Sequence, residues 1–227
     1  GRRRSAGRLT SGPPRPYLFP MADLKTTYLG LALKNPLIAG ASDLTADVDS
    51  IRRIEEAGAG AIVLKSLFEE QVQLERYKLS EELSQGEARY AEMASIFPKL
   101  VHAGPKEHLM RVRSAKTAVK IPVIASLNCV SRPTWVEYAA ALAGEGVDAL
   151  ELNFFAVPRD PEVSGARIEE EQLEAARAVK AAVKIPVAVK LSPFYANPLN
   201  FISRLDREGV AGLVLVNRLF QPDIDAE

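Results

Sequence analysis

The sequence predicts an α/β fold, and three observations carry that prediction. First, the hexapeptide AVKIPV occurs twice, at 118–123 and 182–187, each time after a helical pattern and before an apolar run. The spacing of 64 residues equals two units of roughly 32, the length of a strand plus its crossover helix. Second, three segments place Gly where a helix would end and follow it with a short β-rich run: AGAGAIVLK (57–65), GEGVDALELN (144–153) and REGVAGLVLVN (207–217). Third, the apolar runs are mostly continuous rather than alternating, as expected of parallel strands covered on both faces. A (β/α)8 barrel or an open doubly wound sheet would both satisfy this pattern.

Strands are expected near 36–41, 61–66, 121–128, 148–155, 186–191 and 212–217. Between them the helices are amphipathic. DVDSIRRIEEAG puts Val48, Ile51 and Ile54 on one stripe. RPTWVEYAAALAGEG has Pro133 where the first helical turn tolerates it, and Trp135 reads as core packing. RIEEEQLEAARAVKAAVK carries acids in its first turn and lysines in its last, matching the helix dipole. Residues 67–118 are too long for one loop and one helix. They read as an excursion over the mouth of the fold followed by two helices, SQGEARYAEMASIFPKL and GPKEHLMRVRSAKTAVK.

With 227 residues the chain can bury a substantial core. Residues 1–20 carry five Arg and no acid. They are expected to be disordered or non-native, although a transit peptide has the same composition; MADLKTTYLG from Met21 reads as a natural start. That leaves 21–227 as an incomplete barrel domain of about six βα units, where a closed barrel has eight. Lys plus Arg and Asp plus Glu are balanced at 29 each, so no nucleic-acid partner is expected. No apolar run approaches a membrane span, and the single Cys129 fits a reducing, cytoplasmic setting.

The end of each apolar run delivers a hydrogen-bonding side chain. The runs stop at Ala41-Ser42, Lys65-Ser66, Ser126 to Asn128, Asn153, Lys190 and Asn217. In α/β folds ligands sit at this end of the strands. Any one of these residues alone reads as a turn former or cap, but three amides and two lysines on one side read as a site. No metal is expected: Asp43 is the one carboxylate near the strand ends, and His102 and His108 lack ligand spacing and read as surface or lid residues. The glycines precede strands and form no dinucleotide fingerprint. The donor set suits a planar ring with carbonyls and ring nitrogens, as in a flavin.

NPLIAGAS (35–42), VLKS (63–66), LELN (150–153) and VKLSPF (189–194) closely resemble the flavin-binding segments of dihydroorotate dehydrogenases, in order, from about Leu24 to Asn217. The resemblance implies a TIM barrel of the FMN-binding type and hydride transfer between a small, pyrimidine-like substrate and flavin N5, in pyrimidine biosynthesis. It implies that backbone at Ala41 and Ser42 faces FMN. Lys65 would contact both flavin and substrate, with Ser66 beside the flavin. Ser126 or Asn128 would touch the ring from the third strand, and Asn153 would be shared between flavin and substrate. Lys190 would lie at the N1–O2 edge, where it stabilises the negative charge of reduced flavin, and Asn217 would face substrate. A homo-oligomer or an electron-transfer partner would complete the system.

Two departures accompany the resemblance. Where the family has a Cys or Ser base a few residues after its asparagine, LNFFAVP places Ala156, which accepts no proton. Arg159 is a poor substitute because it stays charged, and Cys129 follows a different strand. In addition, 66–127 contains no Asn, although the family has an asparagine-rich substrate loop there. Catalytic residues are therefore unassigned. A Schiff-base lyase or aldolase using Lys65 or Lys190, and a non-catalytic paralogue, are the alternatives.

Overall fold

The computed structural model describes residues 22–68, 105–129, 131–155 and 160–217. The arginine-rich first twenty residues, the first of the two excursion helices and Ala156 lie outside the described residues.

The fold opens on a hairpin that the strand reading missed. Strands β1 (Thr26–Tyr28) and β2 (Leu31–Leu33) pair antiparallel. Leu29 and Gly30 join them with φ of 54° and 78°, a two-residue turn whose handedness matches the strand twist. A leucine in that conformation is unusual, and its side chain explains it. Leu29 is buried in an apolar cluster with Val63, Ile124, Ala149 and Ala188. A Cβ on Gly212 would lie 2.5 Å from Leu29 Cδ2, so glycine at that position lets the hairpin seat.

Seven parallel strands follow: β3 (Ile38–Ala39), β4 (Ala61–Val63), β5 (Leu67–Phe68), β6 (Val123–Asn128), β7 (Ala149–Phe154), β8 (Val187–Leu191) and β9 (Gly212–Val214). Their order is β3-β4-β6-β7-β8-β9, with β5 extending the pairing on β6. The sheet is curled, a half-barrel with the hairpin on its concave side. Helices α1 (Val48–Glu56), α2 (Pro105–Ala118), α3 (Arg132–Gly144), α4 (Gly165–Ala182) and α5 (Pro198–Arg207) cover the convex side. All six expected strands are present, trimmed most at β3, β4 and β9. β5 is the other element the sequence reading missed; its two residues are too few to show a period.

Local chemistry sets the helix starts. Asp47, Ser131, Ser164 and Asn197 each accept a hydrogen bond from the backbone N–H three residues on, the preferred way to satisfy a first-turn donor. Pro133 falls in the first turn of α3 as expected. Asn35 fastens β3 to β4: its Nδ2 donates to Gly58 O at 2.8 Å and its Oδ1 accepts from Leu37 N at 3.0 Å. A Cβ on Gly60 would stand 2.2 Å from Asn35 O, so the NP pair of the first motif is a structural clasp.

Strand alternation divides the core in two. On the convex face Leu150, Leu152 and Phe154 of β7 join Val187, Val189 and Leu191 of β8 against helix residues such as Ala139, Val179 and Phe201. Trp135 packs here as expected, its ring edge-on to Phe154 at 5.3 Å. On the concave face the alternate positions start apolar and turn polar toward the strand ends: Ala149, Glu151 and Asn153 on β7, Ile124, Ser126 and Asn128 on β6, Ala188 and Lys190 on β8. Both faces are covered, which is why the runs read as continuously apolar.

Candidate active site at the carboxyl end of the half-barrel

The concave face rises from an apolar floor to a polar layer. Leu29, Val63, Ile124, Ala149 and Ala188 make the floor. One side-chain step higher along the strands, Ser126 and Glu151 stand opposite each other in the β6–β7 register. A further step brings Asn153 opposite Lys190 in the β7–β8 register.

Asn153 is buried, and its Oδ1 accepts from Asn217 Nδ2 at 2.6 Å. Asn217 is held a second time by its backbone N–H, which donates to Leu191 O at 2.8 Å. With the Asn153 oxygen engaged by Asn217, the Nδ2 group is the donor Asn153 has left to offer. Lys190 is half-buried beside it. Asn153, Lys190 and Asn217 therefore form one group across β7, β8 and the segment after β9.

Ser66 and Ser126 also meet. Both are buried, with their hydroxyl oxygens 2.7 Å apart. Ser126 in turn donates to Glu151 Oε1 at 3.3 Å. Asn128 ends β6, half-buried. Ala41 packs against the apolar floor. Ser42 is exposed and opens a short 3₁₀ turn, its carbonyl accepting from Thr45 Oγ1 at 3.0 Å.

Lys65 behaves differently from the other expected site residues. Its Nζ donates to Asp43 Oδ1 at 2.6 Å, an ion pair at the rim with Asp43 almost fully exposed. It makes no hydrogen bond to Asn153 or Lys190. With Thr45, Leu64, His108 and Arg111 it lines a cavity of about 440 Å³ between α1, α2 and the end of β4. His108 was expected at the surface or in a lid; it is instead turned inward on α2. Burial pushes its imidazole down to about 4, helped by the nearby Arg111 charge, and its Nε2 has no hydrogen-bond partner among the described residues.

Glu151 is the residue that sequence reasoning passed over. It is only 4% exposed. Burial raises its carboxyl above the ordinary range, while the Lys190 charge and the Ser126 hydroxyl oppose that rise. Tyr28, reaching in from the hairpin, is raised by its own burial and then by the Glu151 charge. The signal was present in the sequence: Glu151 precedes Asn153 by two positions and so shares its face. Among the described residues no group of three His, Cys, Asp or Glu side chains is placed to hold a metal ion.

No family model matches the chain. Among curated proteins it is 31% identical over 201 residues to the catalytic subunit of dihydroorotate dehydrogenase B (NAD+) from Methanocella arvoryzae, covering 86% of this chain and 62% of that protein. The corresponding subunit from Methanothermobacter thermautotrophicus is 27% identical over 199 residues, covering 86% and 62%. Dihydroorotate dehydrogenase A (fumarate) from Limosilactobacillus reuteri is 28% identical over 206 residues, covering 86% and 63%. Over most of its length the chain is therefore similar to proteins named dihydroorotate dehydrogenase. It spans a little under two thirds of the length of these proteins. Among solved structures, phosphonopyruvate hydrolase in complex with oxalate and magnesium superposes with a TM-score of 0.52 at 16% identity, over 81% of this chain and 59% of that one. At that identity the likeness speaks for the α/β half-barrel alone. No helix of the described residues is long and apolar enough to cross a membrane.

Proposed function

We propose that this chain carries the ring-facing part of an FMN-dependent oxidoreductase acting on a CH–CH bond, of the dihydroorotate dehydrogenase type and cytoplasmic. The observation that carries this reading is the Asn153–Lys190–Asn217 group on one concave strand-end face. Its donors are amide N–H groups and one ammonium, set one side-chain layer above Ser126 and Glu151. That donor set fits a flat ring whose edge carries carbonyls and ring nitrogens. FMN supplies the hydride acceptor, N5, when bound.

The chain's own residues would then do the following. Lys190 opposes negative charge at the ring edge, in a half-buried setting where such an interaction is stronger than in water. Asn217 orients the Asn153 amide, so that its N–H points to the ligand rather than to its neighbour. Ser66, Ser126 and Asn128 line the adjoining strand ends, and Ala41 and Ser42 the rim beyond β3. Lys65, with Asp43, stands where a substrate anion would arrive. The position that supplies a proton acceptor in the resemblance is Ala156, so oxidation of dihydroorotate itself would lack proton-transfer assistance typically of about 10²–10⁴-fold. We read the substrate as pyrimidine-like and distinct from dihydroorotate. The aldolase alternative needs a neutral lysine amine, whereas Lys65 makes an ion pair.

The test is the visible spectrum of the purified full-length gene product. A yellow protein whose colour is lost in Lys190→Met and Asn153→Ala supports the reading. A folded but colourless protein, with no quenching of added FMN fluorescence, overturns it.

A further inference from the structure

The apolar packing of β7 has no use for a carboxylate at Glu151, and burying one costs folding free energy unless it is paired. Glu151 is nearly inaccessible and lies one side-chain layer below Asn153. It has one hydrogen-bond partner and two groups with which it interacts by charge. Ser126 of β6 donates to it at 3.3 Å and is itself 2.7 Å from the Ser66 hydroxyl. Lys190 of β8 is its cationic neighbour, and Tyr28 of the hairpin its other titratable one. The serines carry no charge, so Lys190 is the partner that favours the ionised form by charge. Lys190 is also the group offered to the ligand.

We propose that Glu151 is a positioning residue for Lys190, and that seating an electron-rich ring edge on the Lys190 ammonium makes Glu151 take up a proton. In the ligand-free protein Glu151 and Lys190 interact by charge from diagonal positions on the same face of β7 and β8. Once the ring edge becomes the ammonium's partner, a proton from solvent joins a Glu151 oxygen. The resulting carboxyl keeps its hydrogen bond with Ser126, and no other bond changes. Ligand binding and proton uptake are then one linked equilibrium. This inference rests on the FMN reading of the strand-end layer.

The test uses the full-length gene product in two arms. In the first, FMN is titrated into flavin-free protein between pH 6 and 8.5, by fluorescence quenching and by calorimetry in two buffers of different ionisation enthalpy. Wild type should take up a fraction of a proton and bind more weakly as pH rises, approaching about tenfold per pH unit at full coupling. Glu151→Gln should show no uptake from this site and a flat profile. In the second arm ligand-free melting temperatures are compared across pH. A carboxyl raised by folding contributes stability that is full below about 4.5 and fades as pH rises through its folded value. Glu151→Gln should therefore gain on wild type as pH increases.

If FMN binds both proteins with the same pH dependence and no proton uptake, the inference falls while the cofactor reading stands. Melting curves with identical pH dependence show that Glu151 does not titrate in the fold, and also overturn it. Failure of wild type to bind FMN at any pH removes both.

Discussion

The two faces of β7 divide its six residues between opposite ends. Leu150, Leu152 and Phe154 point outward into the helix layer, where they join an apolar cluster and shape decides fit. Ala149, Glu151 and Asn153 point inward, where the floor is apolar and polarity rises toward the rim. The outer face has one task, burial. The inner face trades burial for donors and charge, and must pair each polar group it hides. Stability and function are thus separated by one step along the strand.

The most severe way to test that separation is to truncate the outer face. Leu152→Ala should cost about 2–5 kcal/mol, the range for emptying a packed leucine site, measured by urea unfolding. An equally large loss from Asn153→Ala would break the comparison, because it would make the inner face a second stability core.

His108 sharpens it from the helix side. Its imidazole is held neutral, down to about 4 against an ordinary 6.5. A base lowered by folding stabilises the protein above its unfolded value and loses that contribution as pH falls. Acid should therefore remove up to about 3 kcal/mol between pH 6.5 and 4. Melting temperatures of His108→Leu across that window should lack the decline.

Smaller effects are expected inside. Asn217→Ala should cost about 1 kcal/mol through its bond to Asn153, yet weaken FMN binding by more than that stability loss implies. Thermal melts and fluorescence titration of one sample separate the two. At the rim, Asp43→Asn should change stability by under about 1 kcal/mol, since the carboxylate is exposed; a larger loss in chemical denaturation would show that the Lys65 pair belongs to the fold.

Much of the architecture was readable from residue order. The AVKIPV repeat and the Gly-then-β runs locate β4, β6, β7, β8 and β9, because helix ends and buried parallel strands leave local marks in composition. The hairpin was not readable. A turn at Leu29-Gly30 works only because the leucine finds the concave cluster and Gly212 leaves it room, and neither is near it in sequence. Asn153, Lys190 and Asn217 were legible as strand-end polar groups. Glu151 was not taken as one, because mid-strand charge is noticed only when alternation is followed inward.

By itself the sequence determined the α/β alternation, the helix caps and the types of side chain delivered to the strand ends, all consequences of short-range periodicity and backbone chemistry. Tertiary structure alone decided which of those side chains meet. Register placed Asn153 against Lys190 and Ser126 against Glu151, and curling turned them inward, while Lys65 went to Asp43. Pairing register and sheet curvature are set by contacts among residues far apart in the chain, and no local pattern records them.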